Sequence, residues 1–182
     1  MKNFKTQIMD AEALERSVRR ISHEIIEKNK GCENLVLLGI KSRGVPLAEK
    51  ICKNIDMIEG VKVPLATVDI HRYRDDLEDS NKLVLPPMQT LPFSVTDKTV
   101  ILVDDVLYTG RTVRAAIEAV FSLGRPSAIQ LAILIDRGHR QLPFRADYIG
   151  KNIPTSQNER VKVCLAPFDE TAGVYILENQ ND

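Results

Sequence analysis

Apolar side chains recur at three- and four-residue spacings near the start of the chain, a pattern that predicts an amphipathic helix. These residues are Leu14, Val18, Ile21 and Ile25. Asp10 is suited to cap this helix, and Gly31 is suited to end it. A second helix is predicted over 45–55 and a third over 112–123. The second helix, like the first, carries its apolar residues on one side. We therefore expect the first and second helices each to pack against another element.

Short, wholly apolar runs alternate with these helices. They span 35–40, 99–103 and 128–135, and they are typical of strands that are covered on both faces. Another run, 61–70, is strand-like, and short strands are predicted around 161–165 and 174–177. The alternation indicates an α/β domain with a mainly parallel sheet. We expect a single domain over 1–182, with a small subdomain at approximately 136–165.

One connection, 71–93, is unusually long and polar, and prolines close it. A segment of this length without regular structure inside a compact domain is typically a mobile functional loop. An extended hairpin arm is the alternative.

Composition places the chain among globular proteins. Hydrophobic residues make up 43% and charged residues 27%, which excludes intrinsic disorder, collagen-like repeats and disulfide-stapled miniproteins. The 25 Lys and Arg residues balance 25 Asp and Glu residues, so affinity for nucleic acid must come from a local patch. Cys32, Cys52 and Cys164 have unrelated spacings, which favours reduced thiols. No run resembles a signal peptide or a membrane span, so we expect a soluble, cytoplasmic protein.

The strongest local signal is VILVDDVLYTGRT over 100–112. Four apolar residues place Asp104 and Asp105 at the carboxyl edge of a buried strand, where open α/β sheets bind ligands. Thr109, Gly110 and Thr112 then begin a helix whose N–H groups and dipole can cradle a phosphate. The carboxylates can hold sugar hydroxyls or magnesium. A ribose 5-phosphate therefore suits both the carboxylate pair and the phosphate cradle. By itself, the Asp-Asp pair also fits a solvated strand end.

A second loop, GIKSRG over 39–44, leaves the first buried strand. Arg43 offers a forked contact to pyrophosphate, Lys41 offers a point charge, and Gly44 permits close backbone approach. The alternative is an ordinary polar turn between a strand and a helix.

The 100–112 run resembles the phosphoribosyl pyrophosphate (PRPP) signature of the type I phosphoribosyltransferases. This resemblance implies that family's fold: a mainly parallel central sheet flanked by helices, with a small C-terminal hood and a mobile loop. It implies displacement of pyrophosphate from the anomeric carbon of PRPP by a ring nitrogen of a base, without a covalent enzyme nucleophile. Its implied cofactor is Mg²⁺, which Asp104 and Asp105 contact only indirectly, through PRPP.

The resemblance also implies a set of site residues. Those that bind PRPP or nucleotide are Lys41, Ser42, Arg43, Gly44, Asp104, Asp105, Val106, Leu107, Tyr108, Thr109, Gly110, Arg111 and Thr112. Those that act in catalysis are Asp104, Asp105, Arg72 and Arg74, the two arginines lying in a loop that closes over the reactants. The sequence leaves open which of the two arginines points inward.

Further runs resemble a narrower family, the PyrR family of bifunctional pyrimidine-operon attenuators and uracil phosphoribosyltransferases. They are SHEIIEKNKG over 22–31, YRDDL over 73–77, IQLAILIDRGHRQLP over 129–143 and RADYIGKNIP over 145–154. The resemblance implies uracil as substrate and UMP as product, with Arg137 and Val161 near the base. It also implies binding of the leader mRNA of pyrimidine genes, transcription termination controlled by UMP or UTP, and assembly into dimers, or into tetramers or hexamers.

The residues independently indicate a basic patch. At about 100° per residue, one side of the first helix, opposite its apolar stripe, carries Arg16, Arg19, Arg20, His23 and Lys30. Residues 137–162 hold six Lys or Arg against two acids. If the two segments lie side by side, they suit RNA phosphates. The alternative for the helix is an ordinary solvated face, since residues 10–30 carry five acids and five Lys or Arg. The RNA-binding candidates are Arg16, Arg19, Arg20, His23, Arg140, Arg145 and Lys151.

Two alternatives stay open. One is a salvage phosphoribosyltransferase, for a purine or for uracil, without an RNA role. The other is an RNA-binding regulator with vestigial catalysis, against which the intact motifs count.

Overall fold

The computed structural model describes residues 4–75 and 89–178. Its strands are β1 (Phe4–Met9), β2 (Leu35–Ile40), β3 (Leu65–Val68), β4 (Thr99–Leu107), β5 (Ala128–Asp136), β6 (Tyr148–Asn152), β7 (Glu159–Cys164) and β8 (Gly173–Glu178). Its α-helices are α1 (Ala11–Asn29), α2 (Gly44–Glu59) and α3 (Arg111–Leu123), and a short 3₁₀ turn spans His71–Tyr73.

Five strands form a parallel main sheet in the order β3-β2-β4-β5-β6. The central strands are the predicted apolar runs, because both of their faces are covered. Leu37 and Ile101 point into the core formed with α1 and α2, whereas Leu38 and Leu102 point into the core formed with α3. The prediction of a mainly parallel α/β sheet is confirmed.

The helices follow their local signals. The Asp10 carboxylate accepts a hydrogen bond from the Ala13 N–H at 2.8 Å, which caps α1 as expected. Lys30, in the left-handed conformation, ends α1 one residue before Gly31. The second helix extends to Glu59, beyond the predicted 45–55, because Gly60 rather than an earlier residue provides its left-handed cap.

A second, antiparallel sheet has the order β1-β8-β7. The range 136–165, expected as a small subdomain, is therefore divided: β6 extends the main sheet beside β5, and β7 joins the second sheet. Neither β1 nor β6 was predicted. The pairing partner of β1 is β8, which is remote in sequence, and β6 has a weak local pattern. The strand expected over 61–70 is shorter, and residues 76–88, which include most of the predicted loop, lie outside the described residues.

Two further features concern the chain as a whole. The cysteines are free thiols, as predicted. Within 4–75 and 89–178, no helix combines the length and the apolar character needed to cross a bilayer.

Candidate active site and basic surface

The carboxylate pair lies near the carboxyl end of β4, as the sequence predicted. One carboxylate oxygen of Asp104 accepts the Asp105 N–H at 2.9 Å, and one of Asp105 accepts the Val106 N–H at 2.9 Å. Asp104 is buried and Asp105 is partly buried. These local hydrogen bonds fix the orientation of both side chains before any ligand binds.

Burial raises the pKa of Asp104 well above that of an ordinary aspartate, and repulsion from the Asp105 carboxylate adds to the shift. Burial likewise raises the pKa of Asp105, although the nearby Arg43 charge opposes the change. A ligand that presents hydroxyl groups or a cation would therefore be favoured here. The two carboxylates fit a metal ion shared with ligand oxygens; among the described residues no cluster of three or more metal-ligating side chains exists.

A cavity of about 320 Å³ adjoins this pair. Its lining includes Asp104, the run 106–113, Arg74 and Asp75. Gly110 immediately precedes α3 with a φ of 94°, a conformation that favours glycine. The N-terminus of α3 thus opens onto the cavity, so the predicted phosphate cradle and Asp104 line one space, with Asp105 next to Asp104 on β4.

The loop 41–44 crosses beside β4. A Cβ atom on Gly44 would collide with the carbonyl oxygen of Val103, so only glycine permits this approach. Lys41 pairs with the Asp69 carboxylate at 3.1 Å. The pKa of Asp69 is lowered, chiefly by a hydrogen bond from the His71 N–H.

Arg43 is tied to the second sheet. Its Nε donates to the Val163 carbonyl at 2.8 Å, and its Nη2 donates to the Asp169 carboxylate at 3.1 Å. Burial alone would raise the pKa of Asp169, but hydrogen bonds from the Leu165 N–H, Arg43 and Lys162 outweigh burial and lower it. Asp169, which the sequence did not single out, therefore links the predicted pyrophosphate loop to β7.

The two predicted loop arginines differ in position. Arg74 lines the cavity, whereas Arg72 is an exposed residue of the 3₁₀ turn. The backbone after Asp75 lies outside the described residues.

Arg137, predicted near the base, is buried at the end of β5. Its Nε donates to the Thr155 hydroxyl at 3.0 Å, and its Nη2 donates to the Glu159 carbonyl at 2.8 Å. The guanidinium also lies 4.0 Å from the centre of the Tyr108 ring. These contacts hold the chain before β7 and support one face of Tyr108. Val161 is buried on β7. A role for either residue in base binding stays a prediction.

The structure brings α1 and β6 together, as the basic patch requires. Arg20 Nη2 donates to the carbonyls of Ile149 and Gly150, at 3.1 and 2.6 Å. Arg20 therefore joins the two segments instead of presenting its whole guanidinium to solvent. Four other RNA-binding candidates are exposed; they are Arg19, His23, Arg145 and Lys151. Arg16 is also exposed and pairs with Glu12 at 2.9 Å.

A second cavity, of about 570 Å³, lies in the 136–155 region. Arg137, His139, Arg140 and Arg145 contribute to its wall. Arg140 also donates to the Tyr108 carbonyl at 2.9 Å and pairs with Asp136. His139 was not among the residues predicted from the sequence, because a count of Lys and Arg in this segment does not include histidine.

Backbone hydrogen bonds join the loop before α3 to the basic segment. The N–H groups of Gln141 and Leu142 both donate to the Thr109 carbonyl, at 2.9 and 3.0 Å. Arg111 Nε donates to the Gln141 side-chain oxygen at 2.9 Å. The phosphate-cradle loop and the basic segment are thus hydrogen-bonded to each other directly.

Comparison with known proteins agrees with this geometry. The phosphoribosyl transferase domain family matches residues 5–167. The Bifunctional protein PyrR of Clostridioides difficile is 58% identical over 174 residues, covering 96% of this chain and 98% of that protein. The Bifunctional protein PyrR of Pelotomaculum thermopropionicum is 56% identical over 178 residues, covering 98% of each chain.

Among solved structures, a hypoxanthine phosphoribosyltransferase from Staphylococcus aureus superimposes with a TM-score of 0.74 at 19% identity, covering 97% of this chain and 92% of that one. At that identity the likeness concerns the fold alone, and it confirms the predicted type I phosphoribosyltransferase fold. The narrower family is shown by the two PyrR relatives, because their identity to this chain is above 50% over nearly their full length. This chain belongs to the PyrR family of phosphoribosyl transferase domain proteins.

Proposed function

We propose that this chain transfers the phosphoribosyl group of PRPP to uracil, giving UMP and pyrophosphate. We propose that it also attenuates transcription of pyrimidine-biosynthesis genes by binding their leader mRNA in response to UMP or UTP. One observation carries the enzymatic half: buried Asp104 and the glycine loop before α3 line a single cavity, and Asp105 follows Asp104 on β4. The name of the relatives, Bifunctional protein PyrR, supports two roles.

The carboxylate pair acts on the sugar. Asp104 and Asp105 accept hydrogen bonds from the ribose hydroxyls, and their negative charge stabilises the positive charge that develops on the ribose as pyrophosphate departs. Their orientation is set in advance by the hydrogen bonds from the following N–H groups. No covalent nucleophile is required.

The cradle before α3 holds the 5′-phosphate through backbone N–H groups and the helix dipole. On the pyrophosphate side, Lys41, Arg43 and the loop arginines supply positive charge. Asp104 and Asp105 would contact a magnesium ion indirectly, through PRPP, and the ion would supply further positive charge to the leaving group. Lys41 and Arg43 already pair with acids of the protein, so pyrophosphate competes with Asp69 and Asp169 for them.

The base is recognised around Arg137 and Val161. Because Arg137 already binds Thr155 and Glu159 and supports Tyr108, its part is to hold the wall of the base site in shape.

The RNA-binding surface consists of the exposed side of α1 and the basic segment beside it. Phosphates of the leader mRNA contact Arg19, His23, Arg145 and Lys151, and Arg20 keeps the two segments together. The hydrogen bonds from Gln141 and Leu142 to Thr109 offer a short route by which a bound nucleotide alters this surface. We expect the chain to act in the cytoplasm as a homo-oligomer, a dimer or a tetramer or hexamer built from dimers.

The enzymatic half is tested by measuring UMP formation from uracil, PRPP and Mg²⁺. The double variant Asp104→Asn with Asp105→Asn should lose turnover while keeping its circular dichroism spectrum. Wild-type turnover in this variant would contradict the assignment. Faster turnover with hypoxanthine than with uracil would favour the purine salvage alternative.

The RNA half is tested by titrating leader RNA and a scrambled RNA at about 0.15 M salt, with and without UMP. Arg19→Ala with His23→Ala should weaken leader binding and leave UMP formation unchanged. The matched control is Lys53→Ala with Lys62→Ala, which removes exposed charge from α2 and from the chain before β3, the opposite edge strand of the main sheet. Equal binding of both RNAs, or equal losses in the two variants, would favour a salvage enzyme without an RNA role.

A further inference from the structure

The residues that lead into the 76–88 segment are held on α3. Tyr73 donates its hydroxyl hydrogen to Ser122 Oγ at 2.7 Å, and its carbonyl accepts a hydrogen bond from Arg114 Nη2 at 2.8 Å. The Asp75 carboxylate then pairs with Arg111 Nη1 at 2.9 Å and lies 3.7 Å from Arg114 Nη2. We call Asp75, Arg111 and Arg114 the α3 clasp.

The clasp lies at the cavity that Asp104 lines. Arg74, Asp75 and Arg111, the first residue of α3, all line this cavity. A carboxylate on the wall of a phosphate site would repel phosphate unless its charge were neutralised. The two arginines neutralise Asp75, so it can occupy this wall without opposing an anionic ligand.

A purely stabilising role explains the clasp poorly. The Asp75 and Arg111 side chains are 42% and 45% exposed, and ion pairs with that exposure contribute little to folding. Their position, however, restrains the residue immediately before Asp75. That residue is Arg74, a wall residue of the cavity.

We propose that Asp75 is a positioning residue for phosphoribosyl transfer: held by Arg111 and Arg114, it keeps Arg74 on the wall of the PRPP cavity. This inference rests on the proposed transferase function. It predicts an effect on PRPP affinity rather than on base affinity, because Asp75 and Arg111 line the same cavity as the phosphate cradle, whereas Arg137 and Val161, proposed near the base, do not line it.

The test compares steady-state kinetics of Asp75→Asn with those of the wild type. The variant should show a KM for PRPP raised by about fivefold, the scale of one partly exposed ion pair, and an unchanged KM for uracil. Asp75→Glu keeps the charge and should restore the KM for PRPP. Arg114→Gln removes the 3.7 Å contact with Asp75 and the hydrogen bond to the Tyr73 carbonyl but keeps the Arg111–Asp75 pair, so it should raise the KM for PRPP by less than Asp75→Asn does.

Glu118→Gln is the matched control, since Glu118 pairs with Arg114 Nη1 at 2.8 Å without touching residues 71–75. It should leave both KM values unchanged. An unchanged KM for PRPP in Asp75→Asn, an equal rise in the KM for uracil, or the same defect in Glu118→Gln would overturn the inference. PRPP binding can also be followed by the rise in melting temperature, which needs no base. Failure of uracil turnover would therefore count against the proposed function, and equal PRPP stabilisation of wild type and variant would count against the clasp.

Discussion

Gly44→Ala tests whether the close approach of the 41–44 loop to β4 builds the active site. A Cβ at this position would lie 3.1 Å from the Val103 carbonyl carbon and 3.3 Å from the Asp104 Cα. It would overlap sterically with the Val103 carbonyl oxygen. Backbone atoms cannot rotate away as a side chain can. Either the start of α2 or the strand that carries Asp104 must therefore move.

The size of the effect follows from this crowding. Overpacking of a buried position costs about 1–3 kcal/mol, which for a chain of this length lowers the melting temperature by roughly 2–12 °C. The displacement falls between the pyrophosphate loop and the carboxylate pair. Misplacement of about 1 Å in a catalytic arrangement can reduce turnover about 100-fold, so kcat/KM should fall by at least about tenfold.

The assay pairs thermal unfolding with initial rates of UMP formation. Gly124→Ala is the steric control, because its Cβ would be 2.7 Å from Thr96 Oγ1 and 3.0 Å from Val95 Cγ2, at the far end of α3. This control should lose stability but keep its kcat/KM. If Gly44→Ala lost no more activity than Gly124→Ala, the close approach would not be what builds the site.

Three further predictions concern charge. Because the folded-state pKa of Asp104 is raised, the ligand-free protein should lose stability as pH rises from about 3.8 toward that raised pKa. Asp104→Asn should flatten this part of a plot of melting temperature against pH. An unchanged plot would contradict the conclusion that burial raises the pKa of Asp104. Asp169 has a lowered pKa, so its contribution is present above 3.8 and is lost as pH falls through the lowered value. Asp169→Asn should therefore lower the melting temperature by about 2–5 °C at pH 7, and the difference should shrink below pH 3.8. Arg20→Ala should lower the melting temperature, because it removes two hydrogen bonds to β6. Lys151→Ala should leave the melting temperature unchanged and should reduce the slope of log binding constant against log salt concentration by about one for RNA binding. The reverse pattern would exchange the roles of the two residues.

Local patterns predicted the elements that surround the site. In α1, the spacing of Leu14, Val18 and Ile21 and the Asp10 cap located the helix to within a residue or two. The central strands were equally clear, since a parallel strand covered on both faces is apolar throughout. By contrast, β6 reads YIGKN, an edge strand with a glycine and two polar residues, and no periodicity distinguishes it from a loop.

The side-chain partners of the predicted site residues show the opposite case. The sequence identified Arg43 as a cation beside the site but not its partner, Asp169, which lies 126 positions later. It likewise indicated Arg137 without its contacts to Thr155, Glu159 and Tyr108. The sequence alone does not identify these partners, because each contact depends on how distant segments pack in the folded chain.

By itself, the sequence determined the α/β class, the carboxylate pair, the glycine loop before α3 and the family, because each depends on periodicity or on a short run of neighbouring residues. The tertiary structure alone decided the β1-β8-β7 sheet, the pairing of Arg43 with Asp169 and the α3 clasp. These contacts join segments that are distant along the chain, and a distant contact depends on how the layers pack, which no local pattern records.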